Sequence, residues 1–381
     1  MLIRKSFIAA FLISAGVVAL TTPLVLAFAR RFQLFDAPDG ERKVHIAPTP
    51  RLGGLAIAAG IMAPIIGLAF LSNDFSEELR NDSGRLVAFL GGACAILTLG
   101  IYDDIKGVGA WGKLGVQSLV GLVLWESDLR VTTVTIFDQV VQLGLWSLPL
   151  TVLWVAGFIN AMNLIDGLDG LAAGVAFFAS LSLFAIAQLD GNGFLALMAA
   201  TTAGAALGFL VFNYSPALIF MGDAGSMTFG YIFAVAGLWS ASKRASMMGL
   251  ALPLVALGVP MFDTGLAFFR RAAAGSSPFR SDRKHIHHQL LAGGLSQRQA
   301  VGVIYVVCCV LTAAAITIRA TDDMRVGVLF GGLTIVTVVI VRNWMRRRNA
   351  RPRPASGLTP ALAEASPALA TTANSVDHPA A

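Results

Sequence analysis

The stretch Asn160-Ala-Met-Asn163-Leu-Ile-Asp166-Gly-Leu-Asp169-Gly170 packs two amides and two carboxylates into ten residues, between segments that are almost wholly apolar. Asn160 and Asn163 are three apart, as are Asn163 and Asp166, so each pair can share a helix face. Gly167 and Gly170 then let the chain leave that helix, and Asp169 is placed to cap the next one. Amide and carboxylate oxygens are hard donors, suited to Mg²⁺, which takes one or two of them from protein and fills the rest of its shell with waters and substrate phosphates. Capping alone accounts for Asp169, but not for Asn160, Asn163 and Asp166 together.

Four other segments carry residues that a connector does not require. Asp103 and Asp104 are adjacent carboxylates, and their repulsion is relieved by a divalent metal, by a proton or by solvation at a helix end. In "FNYSPALIFMGDAGS", Asp223 lies between Gly222 and Gly225 at a helix start, where backbone can approach a ligand closely, and Asn213 and Pro216 precede it. His285, His287 and His288 stand among Arg280, Arg283 and Lys284, a cationic cluster suited to phosphate oxygens; zinc is disfavoured because no cysteine lies nearby. The segment 36–54 adds Arg42, Lys43, His45 and Arg51, with Pro48 and Pro50 stiffening its path. Carboxylates and amides for Mg²⁺ beside cations for phosphate suit phosphoryl transfer, where positioning and charge neutralisation supply most of the catalysis.

What must position these groups is a membrane bundle. The 381 residues are 56% hydrophobic and only 13% charged, with mean hydropathy +0.73. An average soluble domain is about 25% charged. Apolar runs of membrane-spanning length predict about eleven helices, near 7–29, 52–71, 86–102, 114–125, 147–165, 170–189, 194–212, 226–241, 249–270, 300–318 and 326–341. The first carries Ala27-Phe28-Ala29, which resembles a signal-peptidase site, but its apolar core exceeds that of a signal sequence and is read as an uncleaved span. Lys and Arg concentrate in the loops after odd-numbered spans, among them Arg30, Arg31, Lys106, Lys113, Arg270 and Arg271, which makes those loops cytoplasmic. All five polar segments follow odd-numbered spans and open to that same side.

The net charge of +6 is therefore topology plus anionic partners at the inner face, and nucleic acid is not needed to explain it. Cys94, Cys308 and Cys309 all fall within spans, so a disulfide framework is not expected. Val131 to Val141 reads as a short outer hairpin or amphipathic strand. Residues 1–342 form one integral membrane domain, and 343–381, rich in Ala, Pro, Ser and Thr, read as a disordered cytoplasmic tail. The fold class is an all-α polytopic helix bundle. An anion transporter is the rival of different class, since Pro253 and Pro260 could break a span, but no internal repeat is present.

"RKVHIAPTPRLGG", "DD", "NAMNLIDGLDGL", "FMGDAGS" and "HIHH", in that order, resemble the polyprenyl-phosphate N-acetylhexosamine-1-phosphate transferases, the family that includes MraY and WecA. The resemblance implies Mg²⁺-dependent transfer of a sugar 1-phosphate from a UDP-N-acetylhexosamine to undecaprenyl phosphate in the bacterial inner membrane, releasing UMP; Mn²⁺ is a candidate substitute. It implies that Asn163 and Asp223 bind the metal and that Asp103 and Asp104 line the polyprenyl-phosphate site, with Asp103 either taking a proton or only orienting the acceptor. Asp166 would support metal and nucleotide, Asp169 and Phe220 would contact uracil, and His285, His287 and His288 would hold diphosphate or sugar. Lys43, Asn160, Asn213 and Arg283 complete the substrate-binding candidates. "HIHH" resembles the WecA and TagO branch and points to UDP-GlcNAc, with an MraY-type muramoyl-pentapeptide transferase as the alternative. A homodimer is left open.

Overall fold

The computed structural model describes residues 5–36, 48–69, 82–136, 139–243, 254–275, 285–321, 323, 325 and 329–332. The expected tail 343–381, most of the eleventh span at 326–341, and the site candidates Lys43 and Arg283 lie outside the described residues.

Ten helices of 16 to 27 residues run through the described chain, in the places where the apolar runs predict them. They are α1 (Lys5–Arg31), α2 (Gly53–Ala69), α3 (Ser83–Lys106), α4 (Ala110–Glu126), α5 (Ser147–Ile165), α6 (Leu171–Leu189), α7 (Gly193–Asn213), α8 (Gly222–Lys243), α9 (Gly258–Ala273) and α11 (Gln297–Thr321), with a short α10 (Ile286–Ala292) before the last. Among the described residues, six spans are long and apolar enough to cross a membrane, namely α1, α3, α5 with its preceding turn, α6, α7 and α11. The chain is thus an all-α, multi-pass membrane bundle. With no water in the bilayer to satisfy main-chain groups, helices that bond internally are the form such apolar segments take.

Two helices are buried nearly all round and organise the rest. α7 packs against α1, α2 and α6, while α8 packs against α2, α3 and α5. Small residues at Gly204 and Gly208 let α7 approach the main chain of α1, and Gly230 of α8 lies against Phe158 and Ile159 of α5. Polar side chains find main-chain acceptors on neighbouring helices: Tyr231 donates to the carbonyl of Phe89 at 2.8 Å, and Trp154 to that of Ala234 at 3.0 Å.

The ninth span is broken, as its prolines suggest. The sequence places it at 249–270, but helical residues 254–256 are interrupted at Leu257 and α9 proper starts at Gly258. Pro260 lacks the N–H that would bond the carbonyl of Ala256, and its ring crowds that carbonyl, so the helix breaks there. Beyond the break, Phe262, Leu266 and Phe269 are exposed along one side of α9. The fourth span, short in the sequence, is lengthened to Ala110–Glu126. Among the described residues there are also two antiparallel pairs: β1 (Phe35–Asp36) with β2 (Thr49–Pro50), and β3 (Thr133–Ile136) with β4 (Gln139–Gln142), the latter where the short hairpin is expected.

Candidate active site

The ends of α3, α5 and α7 and the starts of α2, α4, α6 and α8 meet at one end of the bundle, around a cavity of about 270 Å³. Its walls include Asp104, Asn163, Asp166, Asp169, Phe220 and Asp223, together with Asn213 and His288. Asp36, Arg51 and Gln297 also reach it; of these, only Arg51 carries a role in the sequence reading.

Its frame is main chain. Phe220 N–H donates to the carbonyl of Pro50, while the N–H groups of Gly53 and Gly54 donate to the carbonyls of Phe220 and Met221, all within 3.0 Å. This stitch holds the α1–α2 connection against the start of α8, where glycine is required: a Cβ on Gly54 would lie closer than 3.0 Å to the main chain of Ala224 and Gly225. Asp36 pairs with Arg51 across β1 and β2.

Asp104 projects from the last turn of α3 onto the first turn of α8. Its two oxygens accept the N–H groups of Asp223 at 2.9 Å and Ala224 at 3.1 Å. A carboxylate from another helix thus caps α8, in line with the partial positive charge at a helix start. The approach needs Gly100, one turn earlier, because any Cβ there would come closer than 3.0 Å to the main chain of Asp223 and Ala224. Gly100→Val is expected to cost about 1–3 kcal/mol through overpacking and to pull Asp104 off α8, so a lowered thermal midpoint in detergent together with at least a roughly tenfold loss of turnover checks it.

Asp103 turns the other way. One oxygen accepts the N–H of Val108 at 2.5 Å, after Gly107 (φ 74°) has ended the helix, and the other meets the ammonium of Lys113 in the first turn of α4. Lys113 Nζ also donates to Asp223 Oδ2 at 2.5 Å. One ammonium therefore bridges the carboxylates of Asp103 and Asp223, and this bridge is how Asp103, itself outside the cavity wall, is joined to the site. The sequence marks Lys113 only as a topological charge; its place one helical turn into α4, opposite the DD pair, is the signal that could have found it.

The two asparagines of α5 part company. Three residues advance an α-helix by about 300°, a 60° offset, and the helices flanking α5 take one asparagine each. Asn163 Nδ2 donates to Ser226 Oγ of α8 at 3.0 Å beside Asp223, whereas Asn160 Nδ2 donates to Gln117 Oε1 of α4 at 2.7 Å and lies off the cavity wall. Asp169 does not cap α6. Gly170 (φ 78°) occupies the cap position, and Asp169 Oδ2 instead accepts Ala217 N–H at 3.0 Å. Asn213 has both polar atoms engaged by main chain, with Gly170 N–H at 3.0 Å and the carbonyl of Ile219 at 2.9 Å, so it braces the loops on either side of the cavity.

Loss of hydration, reinforced by the charges of Asp223, Asp104 and Asp169, pushes Asp166 up to about 8. The cavity thus holds more carboxylate than cation and favours a proton or a metal ion. Among the described residues no three His, Cys, Asp or Glu side chains are arranged to hold a metal by themselves. The donor set still fits a hard divalent ion, since Mg²⁺ needs only one or two protein oxygens when phosphates supply others, and Asn163 with Asp223 offers such a pair.

The histidines divide. His288 lines the cavity, while His285 and His287 are buried behind it. His287 lies over Gly167, and burial, then the neighbouring His288 and His285, lowers its imidazolium to about 4. It is neutral near pH 7 and offers phosphate no full positive charge.

Residues 86–241 match glycosyl transferase family 4. A probable undecaprenyl-phosphate N-acetylglucosaminyl 1-phosphate transferase of Bacillus subtilis is 37% identical over 82% of this chain and 85% of its own. A decaprenyl-phosphate N-acetylglucosaminephosphotransferase of Mycobacterium leprae is 33% identical over 89% of this chain and 90% of its own. A phospho-N-acetylmuramoyl-pentapeptide-transferase of Streptococcus pneumoniae is 31% identical over 74% of this chain and 89% of its own. With the ordered motifs gathered at one end of a membrane bundle, and relatives of this identity aligned over most of its length, the chain is an enzyme of the polyprenyl-phosphate N-acetylhexosamine-1-phosphate transferase family.

Proposed function

We propose that the enzyme transfers GlcNAc 1-phosphate from UDP-GlcNAc to undecaprenyl phosphate, on the cytoplasmic face of a bacterial inner membrane. An oxygen of the acceptor phosphate attacks the sugar-bearing phosphorus of the donor; the bond to the bridging oxygen breaks, and UMP leaves with that oxygen. The observation that carries this reading is the cavity at one end of the helix bundle, where Asp104, Asn163, Asp166, Asp169 and Asp223 face one space and Lys113 bridges Asp103 to Asp223.

Asn163 and Asp223 would hold Mg²⁺, with Mn²⁺ as substitute. The ion would neutralise phosphate charge in the transition state. Lys113 is placed to pass from the carboxylates to an incoming phosphate. Asp103, held by Val108 N–H and Lys113, would orient the acceptor; the second pKa of a phosphate monoester is about 6, so the acceptor needs no strong base near neutral pH. Asp169 and Phe220 would contact the uracil ring, and Asp104 holds the start of α8 through the N–H groups of Asp223 and Ala224. The N-acetylglucosaminyl substrates named for the Bacillus and Mycobacterium relatives, together with "HIHH", favour UDP-GlcNAc over a muramoyl-pentapeptide donor.

Purified enzyme in detergent, given UDP-GlcNAc and undecaprenyl phosphate, is expected to release UMP. Chelation by EDTA should stop the reaction, and added Mg²⁺ should restore it. Uptake without turnover would instead identify a transporter, and inorganic phosphate released without nucleotide would identify a lipid phosphatase. A preference for the muramoyl-pentapeptide donor in the same assay would move the enzyme to the other branch.

A further inference from the structure

Asp263 has no part in the cavity, yet it sits 8% exposed in α9 and bonds twice to the histidine segment. Its Oδ2 lies 2.8 Å from His285 Nδ1, and its Oδ1 accepts the N–H of Ile286, the first residue of α10, at 3.0 Å. A carboxylate oxygen only accepts, so the proton of this pair sits on Nδ1, which fixes the ring's tautomer and plane. His285 stacks on His287, with centroids 5.9 Å apart and planes within 6°, and His287 meets His288 at 4.3 Å. Of the three rings, only His288 reaches the cavity wall. A buried carboxylate in a membrane bundle is costly unless its hydrogen bonds are made, and these two bonds both fall on the residues that begin α10.

We propose that Asp263 is a positioning residue. It locks the start of α10 through the His285 ring and the Ile286 N–H, so that His288 is presented to the phosphate-bearing substrate, and His285 is an anchor instead of a substrate contact. This division of the HIHH motif rests on the sugar-phosphate transfer reading of the cavity.

The test is a double-mutant cycle on the full-length enzyme with UDP-GlcNAc and undecaprenyl phosphate. Asp263→Asn, which keeps the side-chain shape, is expected to lower kcat roughly ten- to a hundredfold, by analogy with carboxylates that orient metal-bound histidines. His288→Ala should lower it as well. If Asp263 acts through His288, adding Asp263→Asn to His288→Ala costs nothing further, because residues acting as one unit are not additive. The same fold loss in both backgrounds would overturn the proposal, since a general structural defect would persist without His288.

A second arm needs no turnover. Hydrogen exchange of the peptide covering 285–292 should accelerate about tenfold in Asp263→Ala, the scale of a lost hydrogen bond, and unchanged protection would overturn the proposal by itself. An inactive wild-type enzyme with normal Asp263-dependent protection would count against the reaction and leave the anchoring standing.

Discussion

Asp223→Ala is expected to abolish UMP release, with a loss on the order of a thousandfold or more, while the protein still elutes as a folded, inserted species. The two halves of this expectation have separate physical grounds. Activity falls because Asp223 is the carboxylate shared between Lys113 and the Asn163 side of the cavity, where a hard cation and the donor phosphates would be held. The fold survives because Asp223 does not cap its own helix. Asp104 performs that task from α3, accepting the N–H groups of Asp223 and Ala224, and alanine at position 223 keeps both. Near-normal turnover would remove Asp223 from metal binding altogether. An aggregated protein would mean that the cap from Asp104 is too weak to hold the start of α8.

Lys113→Met carries the second large effect, and its sign distinguishes it from simple damage. The ammonium lies between Asp103 and Asp223 and pairs with both. Without it the cavity keeps its carboxylates and loses the cation that competes with a metal ion. Binding of Mn²⁺, followed by its paramagnetic resonance in the absence of substrates, should tighten at least about tenfold, given several kcal/mol of Coulomb energy between charges this close. Turnover should fall roughly a hundredfold or more, because a cation positioned for the transferring phosphate is gone. Metal binding unchanged or weaker than in the wild type would show that the lysine and the metal do not share the same carboxylates.

Much of this architecture was legible in the chain. Helices facing lipid must be apolar along most of their length, so the runs from Lys5 to Thr321 announce themselves, and the polar segments between alternate spans mark one end of the bundle. Contacts between helices were less legible. Spacing places Asn160 and Asn163 near one another, but whether a 60° offset leaves them on one face depends on which helices flank α5, and here α4 takes one and α8 the other. Asp169 satisfies every local rule for a cap, yet a tertiary partner, Ala217 N–H, claims it. Lys113 is hidden among residues that set topology. Asp263 is a lone carboxylate inside an apolar span, and the rule that such groups are functional, applied to the loops, would have found it there as well.

The stitch of Phe220 to Pro50, and of Gly53 and Gly54 back to Phe220 and Met221, also bears on biogenesis. Six described helices, α2 to α7, lie between its two halves in the chain. Until α8 is in place, the amides of Gly53 and Gly54 lack the acceptors that this stitch provides. A chain cut before α8 is therefore expected to lack the assembled cavity, since Phe220 and Asp223 line it.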